Sequence, residues 1–132
     1  MVVLRENRSE FRLVNGNAET IFRIQVDHCL EFPGTHCDWL LLFEKAIPDF
    51  YIELKGSDVE HAFEQLRNSI EHIEHDFMGV PGRRRQKRCY VVATKVPLAA
   101  SNIQKVQKEF SRNYQATLIV KKTPLEEDLN AV

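Results

Sequence analysis

The stretch from Cys37 to Gly56, CDWLLLFEKAIPDFYIELKG, is the part of the sequence that most constrains the fold. It contains two apolar runs separated by a segment with a proline, a pattern typical of two neighbouring strands joined by a turn. Three charged residues, Asp38, Glu53 and Lys55, interrupt the apolar runs. Because successive side chains of a strand point to opposite faces, Glu53 and Lys55 share one face and project together.

The position of the turn decides which residues face each other across the two strands. A turn centred near Ala46 to Pro48 sets Asp38 opposite Lys55 and diagonal to Glu53, within reach of one ion. Ionised side chains in an apolar segment are costly unless they are paired or hold a metal. We therefore expect these three residues to form a site. A solvated strand face with one weak Glu–Lys ion pair is the alternative.

An Asp near the start of one strand, Glu-x-Lys at the end of the next and an amphipathic helix after it resemble the PD-(D/E)XK nuclease superfamily. The fold of this superfamily is called restriction-endonuclease-like, and its typical order of elements is strand-strand-strand-helix-strand. The part of the chain from about residue 20 to residue 96 shows the same order. The resemblance implies an α/β (α+β) domain in which helices flank a central mixed β-sheet.

The same resemblance implies a function and a set of site residues. The expected activity is that of a small endonuclease that hydrolyses phosphodiester bonds in DNA with Mg²⁺, or Mn²⁺, as its cofactor. Asp38, Glu53 and the main-chain carbonyl of Leu54 would be the metal ligands, since oxygen atoms suit such hard cations. Lys55 would be the catalytic lysine that orients or activates water.

Further acids could complete the metal site. Residues 20–31, TIFRIQVDHCLE, read as a strand that the segment FPGT turns back, which would place Asp27 and Glu31 on the face of Asp38. The family normally has a helix before this strand that often contributes an acid, and Glu6, Glu10 or Glu19 are the candidates here. One layer of helices would cover the opposite face of the three strands. That face is apolar and consists of Val26, Leu30, Trp39, Leu41, Phe43, Phe50, Ile52 and Leu54.

A helix is predicted after Gly56, with Ser57 or Asp58 as its N-cap. Its apolar stripe has helical spacing: Val59, Ala62, Phe63, Leu66, Ile70, Ile73 and Phe77. Gln65 lies off this stripe, and some families of these nucleases use a Gln-x-x-x-Tyr at this place. Here the fifth position is Ser69. Gln65 is a candidate catalytic residue, with a solvated helical glutamine as the alternative.

A Gly/Pro loop with a dense run of cations follows this helix: Arg83, Arg84, Arg85, Lys87 and Arg88. We expect the loop to be exposed and to grip the nucleic-acid backbone, because phosphate contacts dominate nucleic-acid affinity. A merely solvated loop is the alternative. Beyond it the sequence predicts a strand over 89–96 parallel to the Glu-Leu-Lys strand, a helix over 100–114 and a last strand.

Composition limits the organisation of the chain. With 132 residues the chain suits one nuclease-like domain, with a core of about 20–123 and a frayed acidic tail at 124–132. A formal net charge of −1 means that any affinity for DNA must come from a local patch. Three cysteines without a CxxC pair favour a reducing compartment, so we expect a cytoplasmic protein. Without an apolar run of membrane-spanning length or a signal region, we expect no membrane association.

Two other functions remain open. One is a nuclease-like fold that no longer cuts and acts as a nucleic-acid-binding or assembly subunit. The other is a zinc site built from His28-Cys29 and His36-Cys37, which offer suitable ligand types at the two ends of a turn. Many enzymes of the superfamily that the chain resembles work as dimers, so we also expect a homodimer.

Overall fold

The computed structural model describes residues 1–45, 47–79 and 85–132. Within them the strands are β1 (Val2–Glu6), β2 (Ser9–Val14), β3 (Ile21–Gln25), β4 (Trp39–Phe43), β5 (Asp49–Lys55), β6 (Lys87–Ala93), β7 (Ala116–Lys122) and β8 (Leu125–Asp128). The α-helices are α1 (Val26–Cys29), α2 (Val59–His72) and α3 (Ala100–Tyr114). A π-helical turn, Ile73–Phe77, extends α2, and a 3-10 turn, Leu129–Ala131, follows β8. Of the helices in these residues, none is both long and apolar enough to cross a membrane.

The strands form two mixed sheets, so the fold is a mixed α/β fold. The large sheet has the order β3-β4-β5-β6-β7, with β3, β4 and β5 antiparallel and β5, β6 and β7 parallel. Parallel neighbours need a long crossover connection, which α2 supplies between β5 and β6 and α3 supplies between β6 and β7. The predicted strand-strand-strand-helix-strand order is therefore present, as are the parallel β6 and the helix over 100–114.

Helices α2 and α3 cover one face of the large sheet. The predicted stripe of α2 packs there on Leu40, Tyr51, Cys89 and Val91, together with Phe110 of α3. The stripe ends earlier than predicted, because Phe77 is 49% exposed. Asp58 is the N-cap, as its carboxylate accepts a hydrogen bond from the His61 amide at 3.1 Å.

The small sheet, of order β1-β2-β8, covers the other face of the large sheet. Leu4, Phe11 and Leu13 of the small sheet pack on an apolar surface of the large sheet: Leu41, Phe50, Ile52, Leu54, Tyr90 and Val92. The prediction that a layer of helices covers this face is wrong, and in the described part of the chain helices flank the large sheet on its other face only. Val26 and Leu30, which were assigned to it, instead contact the helix-side core.

The end of the predicted first strand is also different. Strand β3 ends at Gln25, and the next residues form the single helical turn α1. Asp27 and Glu31 are exposed, the first on α1 and the second in the loop after it, so neither shares a strand face with Asp38. The register of β3 with β4 sets Gln25 opposite Trp39, which leaves no tight hairpin at Pro33 and Gly34.

The acidic tail is part of the fold and not frayed. Strand β8 pairs in parallel with β2, from Phe11 opposite Leu125 to Val14 opposite Asp128. Leu129 is buried in the core between the two sheets. The first and last segments of the chain therefore form one sheet, which a core limited to about residues 20–123 leaves out.

Candidate functional site

The three charged residues of the opening motif meet at the carboxyl end of β5. The β4–β5 pairing sets Trp39 opposite Ile52, and one further step of the same register brings Asp38 beside Glu53. The expectation that Asp38 lies opposite Lys55 is wrong, because the connection between the strands sets a register two residues different from the predicted one. Part of that connection, Ala46, lies outside the described residues. The Lys55 ammonium nitrogen, Nζ, is 3.2 Å from Oε2 of Glu53.

Glu53 is a buried acid in an incomplete polar environment. It is 1% exposed, and its Oε1 is buried without a hydrogen-bond partner among the described residues. Burial raises the pKa of Glu53 to about 8. The charge of Asp38 adds to this rise, and the Lys55 ammonium opposes it. A buried oxygen without a donor is costly, so this atom is a candidate ligand for a cation.

Asp38 is held by the backbone of the neighbouring strand. Its Oδ2 accepts a hydrogen bond of 2.8 Å from the Leu54 amide. Burial raises the pKa of Asp38, the Leu54 amide opposes the rise, and the charge of Glu6 adds to it. A buried and a half-buried carboxyl that are both raised in pKa favour a shared proton or a bound cation over two free negative charges.

The N-terminal hairpin places one acid near this pair. Asn7 Nδ2 donates to the Leu54 carbonyl at 3.0 Å, and the Ser9 hydroxyl donates to the Lys55 carbonyl at 2.6 Å. These bonds fix the β1–β2 turn at the end of β5, where Glu6 acts electrostatically on Asp38. The acid is supplied from a strand, and the helix expected before the first core strand is replaced by this hairpin.

Two of the other candidate acids, Glu10 and Glu19, pair with cations. Glu10 pairs with Arg5 and Arg12, and Glu19 pairs with Lys45 at 3.0 Å. In the part of the chain that the structure describes, no three His, Cys, Asp or Glu side chains are arranged to hold a metal ion. The same finding applies to the zinc hypothesis of His28-Cys29 and His36-Cys37, in which Cys29 is exposed and Cys37 is buried.

The Leu54 carbonyl, predicted to be a metal ligand, already accepts the hydrogen bond from Asn7. A carbonyl oxygen has two lone pairs, so this bond leaves one of them. The oxygen that the sequence assigned to the metal is therefore shared with the hairpin turn.

Gln65 supports the segment that leads into Asp38. Its Nε2 donates to the His36 carbonyl at 2.9 Å, and its Oε1 is buried without a partner among the described residues. One turn later on α2, the Ser69 hydroxyl accepts a hydrogen bond of 2.7 Å from the Cys37 amide. The sequence pattern drew attention to Ser69 only because a tyrosine was expected at that position. Its place on the same face of α2 as Gln65 indicates that both residues hold the backbone before Asp38.

The cation run is not one exposed patch. Lys87 and Arg88 lie in β6, and Lys87 is fully buried with its Nζ 2.8 Å from Oε1 of Glu74. Arg88 donates to the Tyr90 hydroxyl at 2.8 Å. The prediction that Lys87 is exposed is wrong, since its acidic partner on the π-helical turn permits burial, and in this position it cannot reach a phosphate.

The remaining members of the run differ from one another. Arg85 pairs with the buried Asp49 at 2.7 Å. Arg83 and Arg84 lie outside the described residues, so their predicted contact with phosphate stays a prediction. The buried Lys87–Glu74 pair was missed by sequence reasoning, because its two members are separated by the loop.

The chain was compared with family models, with curated proteins and with solved structures, and none of the three comparisons found a match.

Proposed function

We propose that the protein is a divalent-metal-dependent nuclease that hydrolyses phosphodiester bonds, with its site at the carboxyl end of β5. The observation that carries the proposal is the convergence of the Asp38 and Glu53 carboxyls with the Lys55 ammonium, where Glu53 keeps one buried oxygen without a partner. An ordinary sheet has no need of a half-buried acid beside a buried one, since their charges destabilise each other.

The fold supports the same proposal. Strands β3, β4 and β5 form an antiparallel meander, and α2 then leads to β6 beside β5. Assignment to the restriction-endonuclease-like fold is part of the proposal, and it rests on this order and on the position of the three residues at a strand end.

The donor set fits a hard cation such as Mg²⁺ or Mn²⁺. The Leu54 amide engages only one oxygen of Asp38, and Oε1 of Glu53 has no described partner, so both residues can offer an oxygen ligand. Asp38 and Glu53 would hold the ion, with Glu6 near enough to act on Asp38 electrostatically. A bound cation would supply Lewis-acid stabilisation of the negative charge that develops on the phosphodiester.

Lys55 is placed to act on the reacting groups. Its side chain is 17% exposed while that of Glu53 is 1% exposed, so the lysine side chain is the more accessible member of the ion pair. From there it orients the attacking water and offsets charge as the water oxygen bonds to phosphorus and the P–O bond to the leaving group breaks. Gln65 and Ser69 position Asp38 by holding His36 and Cys37.

A second candidate function is a nuclease-like subunit that binds nucleic acid without cutting it. Two observations favour it: the described residues do not provide a three-residue metal cage, and the Leu54 carbonyl already accepts a bond from Asn7. The two functions share the fold and differ in metal binding and turnover.

Cleavage assays with metal titration distinguish them. Supercoiled, linear and branched DNA, and RNA, are incubated with Mg²⁺ or Mn²⁺, with chelator as the control, and Mn²⁺ binding is measured by calorimetry. Metal-dependent cleavage that Asp38→Asn abolishes supports the nuclease. Nucleic-acid binding without cleavage and without Mn²⁺ binding supports the second function, and absence of both activities overturns both. Sedimentation equilibrium tests the proposed homodimer.

A further inference from the structure

A cleft of about 430 Å³ lies beyond the carboxyl end of β5, the strand that carries Glu53 and Lys55. It is lined by Asn7, Arg8, Gly56, Ser57, Thr94 and Lys95. These residues come from the β1–β2 turn and from the segments that follow β5 and β6, so the cleft lies at the carboxyl ends of two parallel strands. Ligands of α/β sheets bind preferentially at such ends.

The charged side chains that line the cleft are all positive. Its lining contains two cations, Arg8 and Lys95, and no acid. Both side chains belong to exposed residues, and neither forms an ion pair with any residue that the structure describes. A positive cleft at the end of the strand that carries Glu53 is complementary to a chain of phosphates.

The walls of the cleft are fixed by hydrogen bonds to the end of β5. The Gly56 carbonyl accepts from the Thr94 amide at 2.8 Å and from the Lys95 amide at 3.2 Å. Asn7 is fixed on the other side by its bond to the Leu54 carbonyl. The positions of the two cations are therefore linked to the backbone that carries Glu53 and Lys55.

The backbone at Arg8 gives independent support for a role of its side chain. Asn7 and Arg8 form the two-residue loop between β1 and β2, with φ values of 49° and 66°. Such loops favour Asn-Gly, because glycine adopts positive φ without steric cost. Arginine is disfavoured at the second position, and no ion pair within the described residues offsets that cost. The side chain itself is the remaining reason for an arginine here.

We propose that this cleft binds the phosphate backbone of the nucleic-acid substrate beside the cleaved bond, with Arg8 and Lys95 each contacting one phosphate. The inference rests on the proposed function, because it assigns the substrate-binding surface of the same site. It places a phosphate-binding surface at the turn and strand ends around β5, in addition to the contact that the sequence predicts for Arg83 and Arg84.

The test uses Arg8→Gly and Lys95→Ala in the full-length Asp38→Asn protein, which should bind but not cut. Glycine is chosen at position 8 because it relieves the positive φ, so we expect an equal or higher Tm. Affinity for fluorescent single-stranded DNA, duplex DNA and RNA is measured against salt concentration. We expect the slope of log affinity against log salt to fall by about one for each substitution. Lys105→Ala/Lys108→Ala, on exposed positions of α3, is the control for loss of two positive charges.

Each outcome has one interpretation. Weaker binding with a lower slope in the cleft variants and not in the α3 control supports the inference, and the three probes show which nucleic acid is preferred. Unchanged slopes in the cleft variants, with clear binding by the parent protein, overturn the inference and leave the proposed function standing. A lower Tm of Arg8→Gly would make the arginine structural and overturn its assignment to phosphate, so that the slope of Lys95→Ala alone would then decide whether the cleft binds the backbone. Absence of binding by the parent protein to any probe contradicts the proposed function itself.

Discussion

The Leu54 amide donates a hydrogen bond of 2.8 Å to Oδ2 of Asp38, and this bond ties the acid before β4 to the backbone between Glu53 and Lys55 on β5. Movement of either strand would change the distance between the two carboxyls. The turn between β1 and β2 of the small sheet adds a second constraint, since Asn7 donates a hydrogen bond to the carbonyl of the same residue, Leu54. The amide and the carbonyl of one residue therefore link the acid pair to the hairpin that carries Arg8.

The first prediction concerns the pH dependence of stability in the metal-free protein. The pKa of Glu53 is raised to about 8 from an ordinary value of 4.5, so the folded state keeps a proton that the unfolded state loses first. The contribution of Glu53 is therefore fully present below about pH 4.5 and is lost as the pH rises towards 8. We expect the wild type to lose on the order of a few kcal/mol relative to Glu53→Gln over this range.

Denaturant unfolding of both proteins at pH 5 and pH 9 measures this difference. Glu126→Gln, at an exposed position of β8, is the matched control and should follow the wild type. Parallel pH profiles for the wild type and Glu53→Gln would show that Glu53 does not hold its proton more tightly in the fold.

The second prediction is that Mn²⁺ stabilises the wild type but not Asp38→Asn. Asparagine keeps an oxygen acceptor for the Leu54 amide and removes the charge, so the variant should fold with equal or greater metal-free stability. At a hundredfold excess over Kd, a ligand specific to the folded state contributes about 2.7 kcal/mol. Thermal melts with and without Mn²⁺ provide the measurement.

Asp27→Asn is the matched control for this experiment, because Asp27 is exposed on α1 and was a candidate ligand from the sequence. It should retain the full Mn²⁺ shift. The assignment of the metal ligands would be contradicted if Mn²⁺ raised the Tm of Asp38→Asn as much as that of the wild type. It would also be contradicted if Mn²⁺ no longer raised the Tm of Asp27→Asn.

The third prediction separates Lys55 from the acids. We expect Lys55→Ala to reduce the cleavage rate by about a hundredfold or more, because the ammonium acts on water and on developing charge. Removing the ammonium also removes a charge that lowers the pKa of Glu53, so protons should compete more strongly with the metal at neutral pH. Calorimetry at pH 9 reduces that competition and should show Mn²⁺ binding by the variant. Loss of binding at pH 9 would mean that Lys55 is needed to build the metal site.

The sequence predicts the features of this site that depend on neighbouring residues, and it does not predict those that depend on distant segments of the chain. The alternation of Tyr51, Glu53 and Lys55 depends only on the period of a strand, so the shared face of Glu53 and Lys55 was predictable. The partner of Glu53 depends on the length of a connection whose conformation the sequence does not specify, and the predicted register was wrong by two residues. Burial of Lys87 depends on Glu74, which an independent helical element supplies.

The small sheet shows the same limit over a longer range. Residues 1–19 and 124–132 each carry a weak pattern, and neither predicts that β2 and β8 pair with each other. Without that pairing, helices were the expected cover for Leu41, Phe50 and Ile52, which in fact pack under Leu4 and Phe11. The electrostatic effect of Glu6 on Asp38 depends on this sheet, so the sequence did not single out Glu6 among the candidate acids.

The last prediction tests whether the buried Lys87–Glu74 pair is structural. Both side chains have 0% exposure, and burial raises the pKa of Glu74 while the Lys87 ammonium opposes the rise. Lys87→Met leaves Glu74 without its cation in the core, so we expect a loss of about 3–5 kcal/mol in the free energy of unfolding. In the double variant Lys87→Met/Glu74→Leu the unpaired acid is absent, and most of that stability should return. Denaturant unfolding of the wild type and the variants measures these changes, with Lys105→Met at an exposed position as the control.

The salt slope of nucleic-acid binding should be unchanged in the folded double variant, because an ammonium buried on the helix side of β6 makes no phosphate contact. A lower slope in that variant without loss of stability would restore Lys87 to the binding surface that the sequence first assigned to it.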